Sequence, residues 1–402
     1  MDENPDHEAC PPPRESRDWL ARLVGFDSVS RHGNLALIEE IETALGALAS
    51  SPGQPLCFER IENDEGTKSN LLVRVGPDLP GGVVLSGHTD VVPVDGQPWS
   101  SDPFELTERD GRLYGRGSCD MKGFIACCLG QLAYWRGLEL KHPLYLALSY
   151  DEEIGCLGAP RMIQRLAAKP HPPHLAIIGE PTMMRPVTRQ KGITVLRTRV
   201  TGLEAHSSQI PSGVSAVHVA ARLISRIETI MHELSEERAC DEAYNVPYST
   251  LHVGKVEGGT AINIMARECV FDWEVRHLPE QEFKTIFERF DRFARSLEFE
   301  LRERAPTVSI DTETVVATVP GLRAEADNPA LAFLAPLLRD ETPQGAVAFA
   351  TEAGQFQQAG FSAIVCGPGD IAQAHQPDEF IAVEQLAACD ALMRRLGEAL
   401  CR

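Results

Sequence analysis

Three short apolar runs, Gly82–Ser86, Leu144–Tyr150 and Leu175–Ile178, alternate with helix-length stretches at Leu35–Leu48, Phe124–Trp135 and Ala159–Ala168. A continuous apolar run suits a strand buried on both faces, and strands that alternate with helices pack as an α/β sheet with helices on both sides. The same style returns late in the chain, with helices predicted at Ala330–Leu338 and Val383–Leu396 around a strand at Ala363–Cys366. Between the two stretches the order changes. A strand at Val195–Val200 precedes a long helix over Val214–Glu233, strands at Leu251–Val256 and Glu268–Val275, a helix at Glu280–Ser296 and a closing strand at Glu298–Arg304. That is the order of a small α+β unit. The predicted organisation is a loose polar, proline-rich tail over 1–16, an α/β domain split between 17–193 and 306–402, and a smaller α+β domain over 194–305 inserted into it.

The formal net charge is −20. A chain this acidic lacks the basic face that non-specific binding to nucleic acid or to an anionic membrane requires, so neither partner is expected. The 11 cysteines are odd in number, and no two form a CxxC pair. With no apolar leader at the start, this reads as reduced thiols in the cytoplasm rather than a disulfide framework.

The chemistry sits where the strands end, because open α/β sheets bind ligands at the carboxyl edge of their strands. The first run leads into Ser86-Gly87-His88-Thr89-Asp90. Residues two apart on a strand share a face, so His88 and Asp90 project together, as a metal-binding imidazole and its orienting carboxylate would; a turn histidine beside a capping aspartate reads equally well. Asp120, in Gly115-Arg116-Gly117-Ser118-Cys119-Asp120-Met121-Lys122-Gly123, is either a helix N-cap or a carboxylate that bridges two ions. Asp151-Glu152-Glu153 follows the second run; adjacent carboxylates at a strand end repel unless cations lie among them. Glu180 stands in Gly179-Glu180-Pro181-Thr182, and His375 in Gln373-Ala374-His375-Gln376-Pro377-Asp378-Glu379. Together these supply the mixed nitrogen and oxygen donors that suit zinc, cobalt or manganese.

The ordered fragments SGHTDVVP, GRGSCDMKG, DEE, GEPT and AHQPDE resemble the zinc-dependent aminoacylase and carboxypeptidase family, over nearly the whole chain from about Trp19. The resemblance implies an amide hydrolase with two divalent ions, zinc or cobalt, in a catalytic α/β domain with an inserted lid and dimerisation domain. It implies that His88 and Glu180 serve one ion, Glu153 and His375 the other, and that Asp120 bridges them. Asp90 would orient His88, and Glu152 would be the general base. In the inserted domain His206, with Ala205 before it where the family usually has glycine, would stabilise the oxyanion, often across a homodimer. Asn263 and Arg276 would grip the carboxylate side of the substrate, although Ala266 stands near the family's usual proline. The glutamate of GEPT, the stretch YDEEIGCLGA and Thr351-Glu352-Ala353-Gly354 favour the deacetylases of N-acetylated amino acids, with N-acetylornithine as substrate. Desuccinylases, carboxypeptidases and broader aminoacylases are the alternatives. Glu352 is the candidate for the distal ammonium, or else an acidic residue that favours a helix N-terminus. His142, His171 and His174 read as surface histidines, and Cys119, Cys156 and Cys366 as packing residues.

Overall fold

A computed structural model of the chain describes residues 15–237, 240–338 and 345–402. The expected loose tail falls mainly outside these residues; Ser16, its last member, is buried and opens the helix Ser16–Val24. The chain packs as two compact units. The first comprises the described residues of Met1–Thr188, Glu325–Gln344 and Gln355–Arg402, and the second those of Arg189–Ala324 and Gly345–Gly354. No helix among the described residues is long and apolar enough to cross a membrane.

The first unit is built on a six-stranded sheet in the order Leu56–Glu62, Ser69–Val75, Leu144–Ser149, Val83–His88, Leu175–Pro181 and Ser362–Gly367. The last four are mutually parallel, and the first two form an antiparallel hairpin at the edge. The predicted apolar runs are the central strands, and both faces of each are covered. Leu144, Leu146 and Leu148 point into a core with the helices Ser16–Val24, Leu35–Ala49, Lys122–Gly137 and Val383–Ala399, while Tyr145 and Ala147 are buried on the opposite face. The chain leaves the central strand Val83–His88 for a neighbour on one side, Leu144–Ser149, and then for one on the other, Leu175–Pro181. The order therefore reverses at Val83–His88, and a crevice opens beyond the carboxyl ends of such strands.

One glycine sets how closely the helix Lys122–Gly137 approaches that crevice. A Cβ on Gly179 would lie 2.1 Å from the ring of Phe124, which is itself fully buried. A small three-stranded sheet, Phe380–Ala382, Arg112–Tyr114 and Thr107–Arg109, ties the approach to Asp120 to the segment after His375.

The second unit is an antiparallel sheet in the order Ser309–Val319, Gly192–Thr201, Glu268–His277 and Thr250–Gly258. Its core is shared with the helices Ala216–Glu236 and Phe283–Arg302. Strand Glu268–His277 alternates strictly, burying Cys269, Phe271, Trp273 and Val275, and Trp273 packs on Phe290 with ring centroids 4.7 Å apart. The expected strand at Glu298–Arg304 is not formed, because the helix continues to Arg302. Phe290, Ala294, Leu297 and Leu301 keep a helical spacing into the core, whereas Phe299, which a strand would have turned inward beside Leu301, is 75% exposed. The fourth strand comes later, at Ser309–Val319, and the segment 345–354 joins the unit through a bridge between Val347 and Gln190.

Replacing Gly179 by alanine should lower the urea midpoint by the equivalent of about 1–3 kcal/mol, since a methyl group would be forced into a filled core. An unchanged unfolding curve would mean that Phe124 moves aside freely.

Candidate metal centre

His88 ends its strand, 1% exposed. Its Nδ1 donates to the backbone carbonyl of Asp90 at 2.9 Å, which leaves Nε2 facing the crevice. Nε2 lies 3.1 Å from Asp120 Oδ1 and 3.7 Å from Glu180 Oε1. Glu180 is fixed by its own strand, hydrogen-bonded beside that of His88. On the other side of Asp120, Oδ2 lies 3.5 Å from His375 Nε2, and the same nitrogen is 3.0 Å from Glu153 Oε2. The two oxygens of Asp120 thus face two different imidazoles, each with a second carboxylate beside it. Asp120 is not the helix N-cap: the residue before helix Lys122–Gly137 is Met121, and the cap makes no side-chain hydrogen bond. The Asp120–Met121 peptide is cis.

Asp90 lies past the end of its strand, and its carboxylate turns to the next loop. Oδ1 accepts the amide of Glu152 at 3.1 Å; Oδ2 accepts that of Glu153 at 3.2 Å and the Ser30 hydroxyl at 2.7 Å. The Asp90 carboxylate is 3.7 Å from His88 Nδ1, so the backbone carbonyl, rather than the side chain, makes the bond to the ring. Asp151, which begins the acidic run, sits at φ 55° and is held by Lys68, whose Nζ donates to Asp151 Oδ1 and to the Ser30 carbonyl, both at 2.6 Å. Glu152 receives the Cys156 thiol at 3.2 Å. Donor atoms of His88, Glu152 and Glu180 lie within 4.8 Å of one another, as do those of His88, Asp120 and Glu153.

Four acidic side chains and two imidazoles thus converge in a largely buried space. Burial, and then the negative charge of Asp120, push the carboxyls of Glu180 and Glu153 above the usual range. Burial would raise Asp120 too, but hydrogen bonds from His375 and His88 outweigh it and hold that carboxyl low. Burial opposes charge on His88, yet the bond to Asp120 and the charge of Glu180 raise its pKa well above the ordinary value. The bonds from His375 to Asp120 and Glu153 lift that imidazole to about 10. Glu153 Oε1 is buried with no hydrogen-bond partner among the described residues. An orphaned carboxylate oxygen, imidazole Nε2 atoms aimed inward and a crowd of acids are what divalent cations satisfy, so the residues fit such ions.

The other four predicted site residues belong to the second unit. His206 is exposed, with Nδ1 bonded by the amide and hydroxyl of Ser208 at 3.1 and 2.8 Å. The Asn263 carbonyl accepts the Ser207 amide at 3.0 Å, so these two residues share one loop cluster. Arg276 is half-buried, donates to Glu274 at 2.8 Å and to the Ala348 carbonyl at 3.3 Å, and so reaches the segment that holds Glu352. Glu352 is 1% exposed. Lys68, Arg116 and Glu379 were not singled out from the sequence. The buried Arg116 and Glu379 each carried one signal, a position inside a ligand-bearing fragment.

A model of "Peptidase family M20/M25/M40" matches residues 84–399. The chain is similar to acetylornithine deacetylase of Myxococcus xanthus, 36% identical over 389 residues, covering 96% of this chain and 97% of that one. It is also similar to acetylornithine deacetylase of Proteus mirabilis, 35% identical, covering 94% and 93%. In fold it resembles an M20 family metallo-carboxypeptidase from Sulfolobus solfataricus, with a TM-score of 0.72 at 18% identity over 96% of this chain and 99% of that one.

The raised imidazoles and carboxyls would make metal binding at this cluster dependent on pH. His375, lifted to about 10, holds a proton at neutrality that it must release to act as a ligand. Zinc affinity measured by competition with a chelator should therefore rise from pH 6 to pH 8, by about tenfold per pH unit for each proton displaced. A flat profile would show that neither these imidazoles nor the raised carboxyls of Glu153 and Glu180 lose a proton when zinc binds.

Proposed function

Because the chain belongs to the peptidase family M20/M25/M40 and is thereby a hydrolase of amide bonds, we propose that it removes the acetyl group from N-acetylated amino acids at a two-ion centre, with N-acetylornithine as the substrate. The products are ornithine and acetate, a step that belongs to arginine biosynthesis in the cytoplasm. The observation that carries the reading is the placement of His88 with Glu180 on one side of Asp120 and His375 with Glu153 on the other. Each set would hold one ion, zinc or cobalt, and Asp120 would be shared. Ions bound there supply Lewis acidity toward the acyl carbonyl and toward water. The deacetylase relatives support the choice of an acetyl group.

The side chains do the rest. Glu152 takes a proton from the attacking water as its oxygen joins the acyl carbon, and returns that proton to the amine nitrogen as the C–N bond breaks. Asp90 holds the amides of Glu152 and Glu153 and so fixes the base beside a ligand. His206 is assigned to the oxyanion, supplied by the partner of a homodimer built on the second unit. Arg276 and Asn263 are assigned to the substrate's carboxylate, and Glu352 to its distal ammonium, a charge that needs an acidic acceptor when taken out of water.

Glu152→Gln keeps the shape of the base and removes its proton acceptor. The variant should bind metal as the parent does and lose about 10²–10⁴-fold or more in kcat; a loss under tenfold would assign the base elsewhere. Glu352→Gln should cut kcat/KM for N-acetylornithine by about 10- to 150-fold more than for N-acetylmethionine, the range of a charge-assisted hydrogen bond. Equal losses would make Glu352 structural, and a parent that prefers N-acetylmethionine would replace the ornithine reading by a broad aminoacylase. Mixed Glu152→Gln and His206→Ala subunits should recover activity, since a mixed dimer holds one intact site. Absence of recovery despite proven subunit exchange would place His206 in its own chain's site.

A further inference from the structure

Glu379 lies four residues after His375, is 1% exposed, and spends its whole carboxylate on the loop that presents Asp120. Oε1 accepts the amides of Cys119 and Asp120 at 2.9 and 3.1 Å; Oε2 accepts the amide of Gly117 at 3.0 Å and Arg116 Nη1 at 2.7 Å. Its own backbone carbonyl takes the Gly115 amide at 3.0 Å. Arg116, equally buried, then turns back: Nη2 donates to Gln97 Oε1 at 2.5 Å, and Gln97 Nε2 donates to the backbone carbonyl of His375 at 2.9 Å. These bonds close a ring that runs from Asp120 through Glu379, Arg116 and Gln97 to His375.

The ring matters because of how His375 is held. Its side chain is 54% exposed and its backbone sits at φ 63°. Neither packing nor a regular element positions the imidazole, so its place depends on what grips the backbone. His88 and Glu180 stand on neighbouring strands of the central sheet and need no such grip. We infer that Glu379 is the positioning residue that sets the spacing between Asp120 and His375, so that the ion held by His375 and Glu153 depends on it far more than the ion held by His88 and Glu180. This rests on the two-ion reading.

Carboxylates and amides behind metal ligands contribute about 10–100-fold to metal affinity. Glu379→Gln replaces an oxygen that accepts amide hydrogens with a group that donates, and leaves Arg116 buried without its counter-charge. Gln97→Leu is the milder cut: Gln97 is only partly buried, and the change breaks the outer link to His375 while Glu379 keeps its four bonds. The test is zinc titration of the full-length parent and both variants by chelator competition, resolving the two ions. The parent should bind two. Glu379→Gln should keep the tighter ion within about threefold and weaken the second by about 10–100-fold. Gln97→Leu should weaken the second alone, by about 2- to 10-fold, the worth of a hydrogen bond or two. Should Glu379→Gln fail to fold, the Gln97→Leu result decides. Variants that titrate like the parent, or that lose both ions equally, would overturn the role of Glu379 and leave the two-ion reading standing. A parent that binds fewer than two ions would overturn both.

Discussion

Everything at the crevice follows from one electrostatic constraint: Asp120, Glu152, Glu153 and Glu180 cannot share a largely buried space as bare anions. Removing a carboxylate from water is costly, and bringing a second one within a few ångströms adds to the cost. Burial and the charge of Asp120 accordingly push the carboxyls of Glu180 and Glu153 up, and hydrogen bonds to the neighbouring carboxylates raise the imidazoles of His88 and His375. Divalent cations would relieve the repulsion with fixed geometry. Protons and divalent cations would compete for the same atoms, so the cluster is a place where positive charge must be supplied.

The fold supplies that geometry in two ways. His88 and Glu180 inherit theirs from strands that pair directly, at the point where the sheet order reverses. Asp120, Glu153 and His375 stand on loops and borrow rigidity from polar networks. Asp90 gathers the amides of Glu152 and Glu153 together with Ser30, and Lys68 secures Asp151 in a left-handed conformation. Backbone in such conformations persists only when its surroundings over-determine it. Gly179 contributes by letting Phe124, on the helix that follows Asp120, lie against the sheet at the strand end carrying Glu180.

Much of this was legible in the sequence, because the central strands are buried on both faces and therefore read as unbroken apolar runs. Each run is followed within three residues by a polar residue whose side chain joins the cluster, so the regions of His88, Glu153 and Glu180 could be read from where hydrophobicity ends. Other features left no such mark. Glu298-Phe299-Glu300-Leu301 alternates like a strand over four residues, too few to outweigh the helical spacing that Phe290, Ala294 and Leu297 set up before it. Asp90 was expected to face His88, but the strand stops one residue after Gly87 and its alternation does not extend to Asp90. Glu379 gave only its position beside His375 as a sign, because a buried carboxylate that serves backbone amides looks in a sequence like any acidic residue near a turn. The reach of the second unit to Ser309–Val319 and to 345–354 rests on pairings between segments far apart in the chain, which no local pattern announces.

The central claim is that five side chains hold two ions with Asp120 between them. Anomalous diffraction at the zinc edge from crystals of the zinc-loaded protein tests it most directly. The account predicts two peaks about 3.5–4 Å apart, one beside His88 and Glu180, the other beside His375 and Glu153, each about 2.0–2.2 Å from an oxygen of Asp120. A single peak, or a pair that Asp120 does not touch, would contradict it.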